Sequence, residues 1–307
     1  MNNILVTGGT GMVGSHLREI APEWKYLGTQ DCDLTNYESV SSLVRSENPD
    51  RIIHLAAKVG GILQNISEPA DFYDKNILIN TNILIASKNH NVPRFTATLS
   101  TCMYPDISET YPLKEADIHN GPPSEANFSY GYSKRCMAVQ IEAYKKQHGL
   151  KYNYVIPCNM YGENDNFDNL NKSHFITALI KKIIDAEREG KNKITLFGTG
   201  RPLRQFMHAR DLAKAIKLIV DNDITESFNI APPNQNYSID RMAKIALSVL
   251  NKAGWTIEYD SDKPDGQFRK DIDCKKLITN LKDFSFTSFE DGVLGVYERT
   301  KAKIGDM

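Results

Sequence analysis

The chain has 307 residues, of which 41% are hydrophobic and 24% are charged, as in an ordinary soluble globular protein. Its formal net charge of −1 gives no reason to expect nucleic acid or an anionic membrane surface as a partner. No apolar run approaches the roughly 18–20 residues of a membrane span, so a membrane is excluded as well. The length predicts one large domain, or a large domain with a smaller one.

The N-terminus and the cysteines indicate the compartment. Met1 leads directly into a strand-like run, with no signal peptide. The cysteines have no CxxC spacing, so we expect neither a metal site nor a disulfide framework. We therefore expect a cytoplasmic protein with reduced cysteines, which are Cys32, Cys102, Cys136, Cys158 and Cys274.

A glycine-rich turn follows the first apolar run. Ile4-Leu5-Val6 is predicted to be a strand, and Gly8, Gly11 and Gly14 then form G-x-x-G-x-x-G before a helix. Glycine permits a tight turn and a close backbone approach to a pyrophosphate, which the helix N-terminus attracts. This pattern predicts dinucleotide binding. The expected cofactor contacts are Gly8, Thr10, Gly11, Met12 and Val13.

The second strand is predicted at Lys25 to Gly28, and Asp33-Leu34 beyond it is expected to lie against the adenine. NAD enzymes hold the ribose hydroxyl with an acidic residue at the end of this strand. No acidic residue stands directly there. This absence favours NADP(H), with NAD(H) as the alternative.

Further strands alternate with helices. The third strand, residues 50–57, ends in small or apolar residues suited to a cofactor: Leu55, Ala56 and Ala57. A helix is predicted from about Pro69 to His90, with Asn76, Asn80 and Asn82 among its apolar residues. The fourth strand covers 95–100, a helix ends near Lys146, and the fifth strand covers 152–157. This alternation predicts an α/β fold with a Rossmann-type doubly wound parallel sheet.

Beyond about residue 160 the alternation loosens. Residues 159–166 are loop-like, 228–230 are strand-like, and helices are predicted near 173–189, 211–220, 238–250 and 288–302. We predict an NADP-binding domain over 1–160, to which parts of the later chain return. Residues 161–307 are predicted to be mainly a smaller α/β substrate lobe.

A tyrosine and a lysine stand four residues apart in Ser129-Tyr130-Gly131-Tyr132-Ser133-Lys134. Residues i and i+4 share a helix face, so a protonated Lys134 would lower the pKa of the Tyr130 phenol from about 10. Such a phenol can exchange a proton with a substrate oxygen. Tyr132 points elsewhere and is the weaker candidate. By itself the spacing is a poor signal, because it is more typical of a solvated helix face.

The order of the glycine turn, Ser100 and Tyr130-x-x-x-Lys134 resembles the extended short-chain dehydrogenase/reductases over nearly the whole chain. Several further motifs are similar to the GDP-L-fucose synthase family within them. These motifs are Lys58-Val59-Gly60-Gly61-Ile62, Pro69-Ala70-Asp71-Phe72, Ser100-Thr101-Cys102-Met103-Tyr104-Pro105, Asn164-Asp165-Asn166-Phe167, His174, Pro202-Leu203-Arg204-Gln205-Phe206-Met207-His208, Pro264-Asp265-Gly266 and Arg269-Lys270.

The resemblance implies reduction at C4 of a GDP-4-keto sugar by hydride from NADPH. Tyr130 would protonate the C4 alkoxide, Lys134 would lower its pKa and hold the nicotinamide ribose, and Ser100 would hydrogen-bond the carbonyl. The alternative for Ser100 is a purely structural role, in which it caps a loop at the end of the strand. The resemblance also implies cofactor contacts at Pro157, Asn159 and Met160.

Family members also invert C3 and C5, and Cys102 and His174 match the pair that does so. Cys102 follows Ser100 by two residues and would face the same way if strand geometry persisted. The alternatives are a buried apolar role for Cys102 and a helix cap for His174. The resemblance implies further substrate contacts at Lys58, Val59, Gly60, Arg204 and Lys270. The alternative for Arg204 and Lys270 is a solvated position on the surface.

Some residues differ from the family pattern, so other functions stay open. Thr10, Gly28 and Gln30 stand where family members carry basic residues for the 2′-phosphate, and Thr101 replaces a serine. The main rival is a reductase of a GDP-4-keto-heptose or another GDP-4-keto-deoxysugar that does not epimerise. Lesser rivals are an NAD-dependent nucleotide-sugar 4-epimerase or dehydratase, and a dinucleotide-sensing regulator. The family implies a role in surface-polysaccharide synthesis and a homodimer formed through helices of the cofactor domain.

Overall fold

A computed structural model describes residues 3–165, 167 and 173–305; Met1 and Asn166, named above, lie outside this range. The strands alternate with helices through the first half of the chain, as predicted. In chain order the strands are β1 Ile4–Thr7, β2 Lys25–Leu27, β3 Arg51–His54, β4 Arg94–Thr98, β5 Lys151–Pro157, β6 Asn159–Tyr161, β7 Lys193–Phe197, β8 Leu203–Arg204, β9 Phe206–His208, β10 Phe228–Ile230, β11 Tyr237–Ser238 and β12 Thr256–Asp260.

The helices include every one that the sequence predicts. Short 3-10 turns occur at Thr101–Met103, Glu115–His119 and Glu125–Asn127. The α-helices are α1 Met12–Ile20, α2 Tyr37–Glu47, α3 Ile62–Ser67, α4 Pro69–Asn89, α5 Phe128–His148, α6 Phe175–Arg188, α7 Ala209–Asp221, α8 Ile239–Val249, α9 Lys275–Asn280 and α10 Phe289–Gly305. Among the described residues, no helix is both long and apolar enough to cross a membrane.

The central sheet has six strands in the order β10-β5-β4-β3-β1-β2, and each neighbouring pair is parallel. β1 and β3 are buried over their whole length, which is typical of a parallel sheet covered by helices on both faces. After β2 the chain crosses to the other side of β1 to form β3, so the topological switch point lies between β1 and β3. The predicted α/β fold with a doubly wound parallel sheet is confirmed.

The C-terminal half contributes to the first core. β10 pairs with β5 at the edge of the central sheet, and α7 packs against α1. The sequence pattern contains both elements, but it does not say which core each one joins. The division of the chain into two domains at residue 160, with later segments returning to the first, stays a prediction.

A second hydrophobic cluster is built by α6, α8 and α10 around Tyr161, whose ring packs edge-on against Phe289. Three small two-stranded sheets accompany it: β7 with β12, β8 with β11, and β6 with β9. The sequence analysis missed β7 and β12, which pair across more than sixty residues and are too short to show a clear period. It also missed α2, although Asn36 caps this helix by accepting the N–H of Ser39.

A buried carboxylate connects the two clusters. Glu163 Oε2 lies 3.1 Å from Nε2 of His16 on α1 and 3.3 Å from Nε2 of His208, which precedes α7. Its Oε1 lies 3.3 Å from Arg210 and 3.6 Å from Arg299 on α10. These contacts tie α1, α7 and α10 to the loop that follows β6.

Two imidazoles and a carboxylate are also a donor set for zinc. The hydrogen bonding of His208 argues against that use, because its Nδ1 accepts the backbone N–H of Arg210 at 3.1 Å. The neutral ring therefore carries its proton on Nε2, which faces Glu163 as a donor. We interpret the cluster as an ionic network that holds Glu163 charged.

Replacement of this carboxylate should destabilise the fold in a pH-dependent way. Burial raises the pKa of Glu163, but hydrogen bonds from His16 and His208 outweigh it and hold the pKa far below its usual range. The unfolded carboxyl titrates near about 4.3, so the stabilisation is complete above that pH and is lost as the pH falls below it. Glu163→Gln should lower the free energy of unfolding at pH 7 by about 3–5 kcal/mol, as measured by urea unfolding.

The matched control is Glu19→Gln. Glu19 is exposed and lies 3.5 Å from the other nitrogen of His16, so its replacement should change the free energy of unfolding by less than about 0.5 kcal/mol. The difference between Glu163→Gln and the unaltered protein should shrink as the pH falls below about 4. A difference that stays constant from pH 7 to pH 3 would contradict the charged state assigned to Glu163.

Candidate active site

A cavity of about 1180 Å³ opens at the carboxyl ends of β1, β3, β4 and β5, where ligands bind to open parallel sheets. Almost every site residue predicted from the sequence lines it. The exception is Lys134, which is buried next to Tyr130. The predicted residues in the cavity wall are Gly8, Thr10, Gly11, Met12, Val13, Asp33, Leu34, Leu55, Ala56, Ala57, Lys58, Val59, Gly60, Ser100, Cys102, Tyr130, Pro157, Asn159, Met160, His174, Arg204 and Lys270.

The glycine turn lies against the end of β3. Gly8 has φ +74°, and a Cβ added there would stand 2.7 Å from the backbone nitrogen of Ala56. A Cβ on Gly14 would stand 2.5 Å from the Gly8 carbonyl oxygen. No side chain caps the N-terminus of α1 at Gly11, so backbone N–H groups there face the cavity. This arrangement fits a pyrophosphate.

Buried asparagines of α4 hold two loops of the cavity wall. Asn76 accepts the N–H of Lys58 at 3.0 Å and donates to its carbonyl at 3.0 Å. Asn82 donates to the carbonyl of Leu34 at 3.0 Å. The sequence analysis recorded these asparagines without a role. Their positions among the apolar residues of this segment were the signal, since amides that become buried must find partners.

A third asparagine joins the first strand to α5. His54 accepts from the Thr7 hydroxyl through Nδ1 at 2.8 Å and donates through Nε2 to Asn80 at 3.2 Å. Burial and the nearby charge of Lys134 lower the pKa of His54 to about 3, so the ring is neutral. Asn80 in turn donates to the carbonyl of Ser133 at 3.4 Å, one residue before Lys134.

Tyr130 and Lys134 lie in the first two turns of α5. The Lys134 ammonium is buried, donates to the carbonyl of Thr98 at 3.1 Å, and lies 5.7 Å from the centre of the Tyr130 ring. The Tyr130 ring also packs edge-on against Phe72 of α4. The pair is therefore packed at the end of β4 and is not a solvated helix face.

The expected lowering of the Tyr130 pKa is wrong for the protein without ligands. Burial raises this pKa, the neighbouring Cys102 adds to the rise, and a hydrogen bond with Ser100 only partly opposes it. Burial also lowers the pKa of Lys134 to about 8. Tyr130 is consequently a neutral phenol near pH 7, and a neutral phenol is the form that can donate a proton.

The turn after β4 brings Cys102 to the cavity. The strand ends at Thr98, and Ser100 accepts the N–H of Cys102 at 3.2 Å to begin the 3-10 turn. The expectation that strand geometry persists to Cys102 is therefore wrong. Gly131 makes the arrangement possible, because a Cβ there would stand 2.4 Å from the Cys102 carbonyl oxygen.

The Cys102 thiol has two polar neighbours. Asn127 donates to its sulfur at 3.0 Å, and the ammonium of Lys270 lies 3.6 Å away. The thiol therefore lies beside both a cation and an amide donor in the cavity wall. The sequence analysis missed Asn127, which lies 25 residues from Cys102 in the chain and has no local pattern pointing to it.

His174 is oriented by Asp165. Its Nδ1 lies 3.0 Å from Asp165 Oδ2, and its backbone N–H bonds the same carboxylate at 3.3 Å. Burial opposes protonation of His174, but the hydrogen bond and the charge of Asp165 outweigh it and raise the pKa. Because Nδ1 donates to the carboxylate, Nε2 is the nitrogen that can exchange a proton with a ligand.

The cationic residues of the cavity differ in availability. Arg204 bonds the carbonyls of Leu203 and Phe268, at 2.8 Å and 3.4 Å, and burial lowers its pKa to about 10, so it keeps its charge. Lys58 is engaged by Glu68 at 2.7 Å and Asp71 at 3.1 Å. Two carboxylates therefore balance the charge of the Lys58 ammonium, and the backbone of Lys58 is the part that forms the cavity wall.

Arg269, which precedes Lys270, is not available to bind a ligand in the cavity. Its guanidinium pairs with Asp271 at 2.6 Å and lies over the ring of Tyr111. Lys270, by contrast, is buried and lines the cavity. Of the predicted Arg269-Lys270 pair, Lys270 is the residue that a ligand can reach.

The turn that follows β2 contains a carboxylate. Asp31 Oδ2 accepts the N–H of Gly28 at 2.7 Å, and the N–H of Asp31 bonds the Gly28 carbonyl at 3.2 Å. The sequence analysis missed this contact because Asp31 is four residues beyond the end of β2. A tight turn over 28–31, with glycine first and aspartate last, was the signal.

Comparisons with known proteins agree with this geometry. A model of the NAD dependent epimerase/dehydratase family matches residues 4–231. A probable GDP-L-fucose synthase from Drosophila melanogaster is 37% identical, and the match covers 95% of each chain. A GDP-L-colitose synthase from Yersinia pseudotuberculosis is 33% identical over 95% of each chain. The crystal structure of a GDP-L-fucose synthetase from Naegleria fowleri bound to NADP has a TM-score of 0.86 at 29% identity, covering 99% of this chain and 95% of that one.

The family model spans well over half of the chain, and both relatives exceed 30% identity over nearly its full length. The fold, the glycine turn and the placement of Ser100, Tyr130 and Lys134 accord with that relationship. The chain therefore belongs to the NAD-dependent epimerase/dehydratase family and, within these extended short-chain dehydrogenase/reductases, to the GDP-L-fucose synthase family.

Proposed function

We propose that this protein uses NADPH to reduce the C4 ketone of a GDP-linked 4-keto sugar, after inverting C3 and C5. The observation that carries the proposal is the shared cavity. A dinucleotide site at the glycine turn, a phenol at Tyr130 and a thiol–imidazole pair at Cys102 and His174 line the same cavity. Such a wall suits a sugar ring held beside a nicotinamide.

The dinucleotide fits the first half of the cavity. The N–H groups at the start of α1 would hold its pyrophosphate, and Asp33-Leu34 would lie along the adenine. Pro157, Asn159 and Met160 would flank the nicotinamide from the far end of β5. When bound, NADPH supplies the hydride that reduces C4.

Tyr130 is the proposed acid at C4. Its phenol is neutral near pH 7, so it can donate a proton to the oxygen as negative charge develops there. Ser100 would donate a hydrogen bond to the same oxygen and stabilise that charge. Lys134 holds its ammonium beside the ring, which favours the tyrosinate left after proton transfer.

Cys102 and His174 are the proposed pair for inversion. C3 and C5 are both α to the ketone, so their protons are acidified while C4 remains oxidised. One group removes a proton from one face of the ring and the other returns a proton to the opposite face. The Lys270 ammonium lies 3.6 Å from the Cys102 sulfur, and Asp165 raises the pKa of His174, which favours the protonated imidazole.

Arg204 is the proposed contact for the GDP diphosphate. Its guanidinium is held by backbone carbonyls, and the described residues include no carboxylate paired with it. A planar cation in that state suits bidentate phosphate binding. The relatives are named for two different GDP-sugars, so a panel of GDP-4-keto hexoses and heptoses, with product stereochemistry read by NMR, identifies the substrate.

Replacement of Tyr130 by phenylalanine should remove the proton donor and leave the rest of the wall intact. Reduction of the keto sugar should fall by about 10²–10⁴-fold, the usual contribution of a positioned acid, while the Kd for NADPH changes little. The measurement is NADPH oxidation at 340 nm, with binding followed separately by fluorescence. Consumption of NADPH with each turnover also separates a reductase from a 4-epimerase or dehydratase.

Tyr132→Phe is the control for this variant. Tyr132 is 37% exposed and its ring lies 5.3 Å from the Arg135 guanidinium, away from the cavity wall. Its hydroxyl has no part in the proposed chemistry, so turnover should stay near that of the unaltered protein. Full activity in Tyr130→Phe would remove Tyr130 from its assigned role.

Inversion is tested without reduction. In D2O and without NADPH, the protein should introduce deuterium at C3 and C5 of GDP-4-keto-6-deoxymannose, as read by NMR. Cys102→Ala and His174→Gln should each slow this exchange by about 10²-fold or more, because each removes one proton-transfer group. Cys136→Ala is the control, since Cys136 is exposed and lies outside the cavity wall.

The D2O experiment also distinguishes this function from its main rival, reduction without epimerisation. A reductase that does not epimerise would introduce no deuterium at C3 or C5 and would still consume NADPH. That result would limit the function to reduction at C4, of a heptose or another deoxysugar.

We also propose a cytoplasmic homodimer that serves surface-polysaccharide synthesis. All five cysteines are free, as in a reducing compartment. Two adjacent long helices, α4 and α5, expose apolar side chains on the outside of the cofactor-binding half, and such a face suits a helical interface. The exposed side chains are Tyr73, Leu78, Tyr132 and Val139.

Charge placed on this face should separate the subunits. The unaltered protein should sediment with twice the 34.6 kDa mass of one chain, and Leu78→Glu with Val139→Glu should give single chains. Ile278→Glu is the control, because Ile278 is 54% exposed on α9 and lies on another part of the surface. A double variant that stays dimeric would place the interface elsewhere.

A further inference from the structure

Asn127 stands at the capping position of α5, but its side chain does not cap this helix. Asparagine is preferred at such a position because its side-chain oxygen accepts a backbone N–H group of the first turn. Asn36 does so for α2, where it accepts the N–H of Ser39 at 3.1 Å. The side-chain amide of Asn127 is directed instead to Cys102, and its nitrogen donates to the sulfur at 3.0 Å.

This orientation leaves the side-chain oxygen of Asn127 without a partner. The oxygen is buried, and no group among the described residues donates a hydrogen bond to it. A buried acceptor in that state destabilises a fold, and the first turn of α5 also lacks the bond that a cap would supply. Residues that break such local rules are expected at functional sites. The contact with sulfur is therefore the feature that accounts for the placement of Asn127.

The Cys102 sulfur has neighbours on three sides. It is bonded to its own Cβ, it accepts the Asn127 N–H, and the Lys270 ammonium donates to it at 3.6 Å. A thiol sulfur both accepts and donates hydrogen bonds, and the two donors take up its accepting directions. One direction is left for the thiol hydrogen. Cys102 is only partly buried and lines the cavity, so a ligand in the cavity can meet that hydrogen.

We propose that Asn127 is a positioning residue for inversion at C3 and C5, and that its amide N–H holds the Cys102 sulfur so that the exchanged proton faces the sugar. The inference rests on the proposed function, because it concerns the thiol that transfers the proton there. When Cys102 takes the proton, the C–H bond breaks, an S–H bond forms and the electron pair passes to the C4 oxygen as an enolate. When it returns a proton, the S–H bond breaks and a C–H bond forms. Asn127 acts through the sulfur alone.

Asn127→Ala removes the amide. In D2O without NADPH, the kcat for deuterium incorporation at C3 and C5 of GDP-4-keto-6-deoxymannose should fall about 10- to 100-fold, because a reacting group displaced by about 1 Å loses that much. The KM of the sugar should change little, since the amide is bonded to the sulfur. The Tm should not fall, because no cap is lost.

Asn36→Ala is the matched control. Asn36 does cap its helix and is not among the described residues of the cavity wall. Its replacement should lower the Tm and leave the kcat for exchange unchanged. An unaltered rate of exchange in Asn127→Ala would overturn the proposal. So would a fall in its Tm as large as that of Asn36→Ala, because Asn127 would then have a structural role.

Asn127→Asp tests the direction of the hydrogen bond. Aspartate has nearly the same shape, has an oxygen in place of the N–H donor, and is itself a preferred cap. Exchange should fall about as far as in Asn127→Ala, with no fall in Tm. If Asn127→Asp exchanges deuterium at the unaltered rate, an acceptor suffices at this position and the role of the amide N–H is overturned.

The outcomes separate this inference from the proposed function. If the unaltered protein introduces deuterium and Cys102→Ala does not, the proposed inversion stands, and unaltered rates in both Asn127 variants overturn the inference alone. If the unaltered protein introduces none, inversion fails and the inference fails with it. Consumption of NADPH would then still support reduction at C4.

Discussion

The hydrogen-bonding requirement of buried amides on α4 determines how the cavity is built. A buried amide without partners costs roughly 1–3 kcal/mol, so Asn76, Asn80 and Asn82 must each find groups to bond. Asn76 holds both backbone groups of Lys58, Asn82 holds the carbonyl of Leu34, and Asn80 connects His54 to the start of α5. One helix therefore fixes three parts of the wall: the adenine side, the loop after β3 and the turn that presents Tyr130. Apolar residues in place of these three asparagines would remove the hydrogen bonds that hold the loops to α4.

Close backbone contacts complete this arrangement and explain why particular residues are small. Gly8 permits contact between the first turn and Ala56, and Gly131 permits contact between α5 and the carbonyl of Cys102. The second contact places the phenol and the thiol on one wall even though they come from different elements. The later half of the chain supplies another part of the cavity wall, with His174, Arg204 and Lys270. Glu163 holds these halves together through α1, α7 and α10.

Local patterns in the sequence predicted much of the fold, and together with the family resemblance they predicted site residues that do line the cavity. Alternating strands and helices, the glycine turn and the four-residue spacing of Tyr130 and Lys134 are all short-range signals. Pairings between distant segments have no such signal, and so β7, β12 and the position of β10 in the central sheet required the structure. The orientation of Cys102 depended on where β4 ends, which a run of strand-forming residues does not reveal. The pKa of Tyr130 depended on burial, which outweighs the spacing to Lys134.

The proposed reaction has an order that substrate chemistry imposes on the site. Protons at C3 and C5 are acidic only while C4 is a ketone, so inversion has to precede hydride transfer. A tyrosinate at Tyr130 could remove a proton but could not donate one, whereas a neutral phenol stays available until charge develops at the C4 oxygen. The burial that raises the Tyr130 pKa therefore keeps this residue out of the first step and ready for the second. His174 has the opposite requirement, and the carboxylate of Asp165 raises its pKa before the sugar arrives. The Cys102 sulfur, the proposed partner of His174, lies 3.6 Å from the ammonium of Lys270.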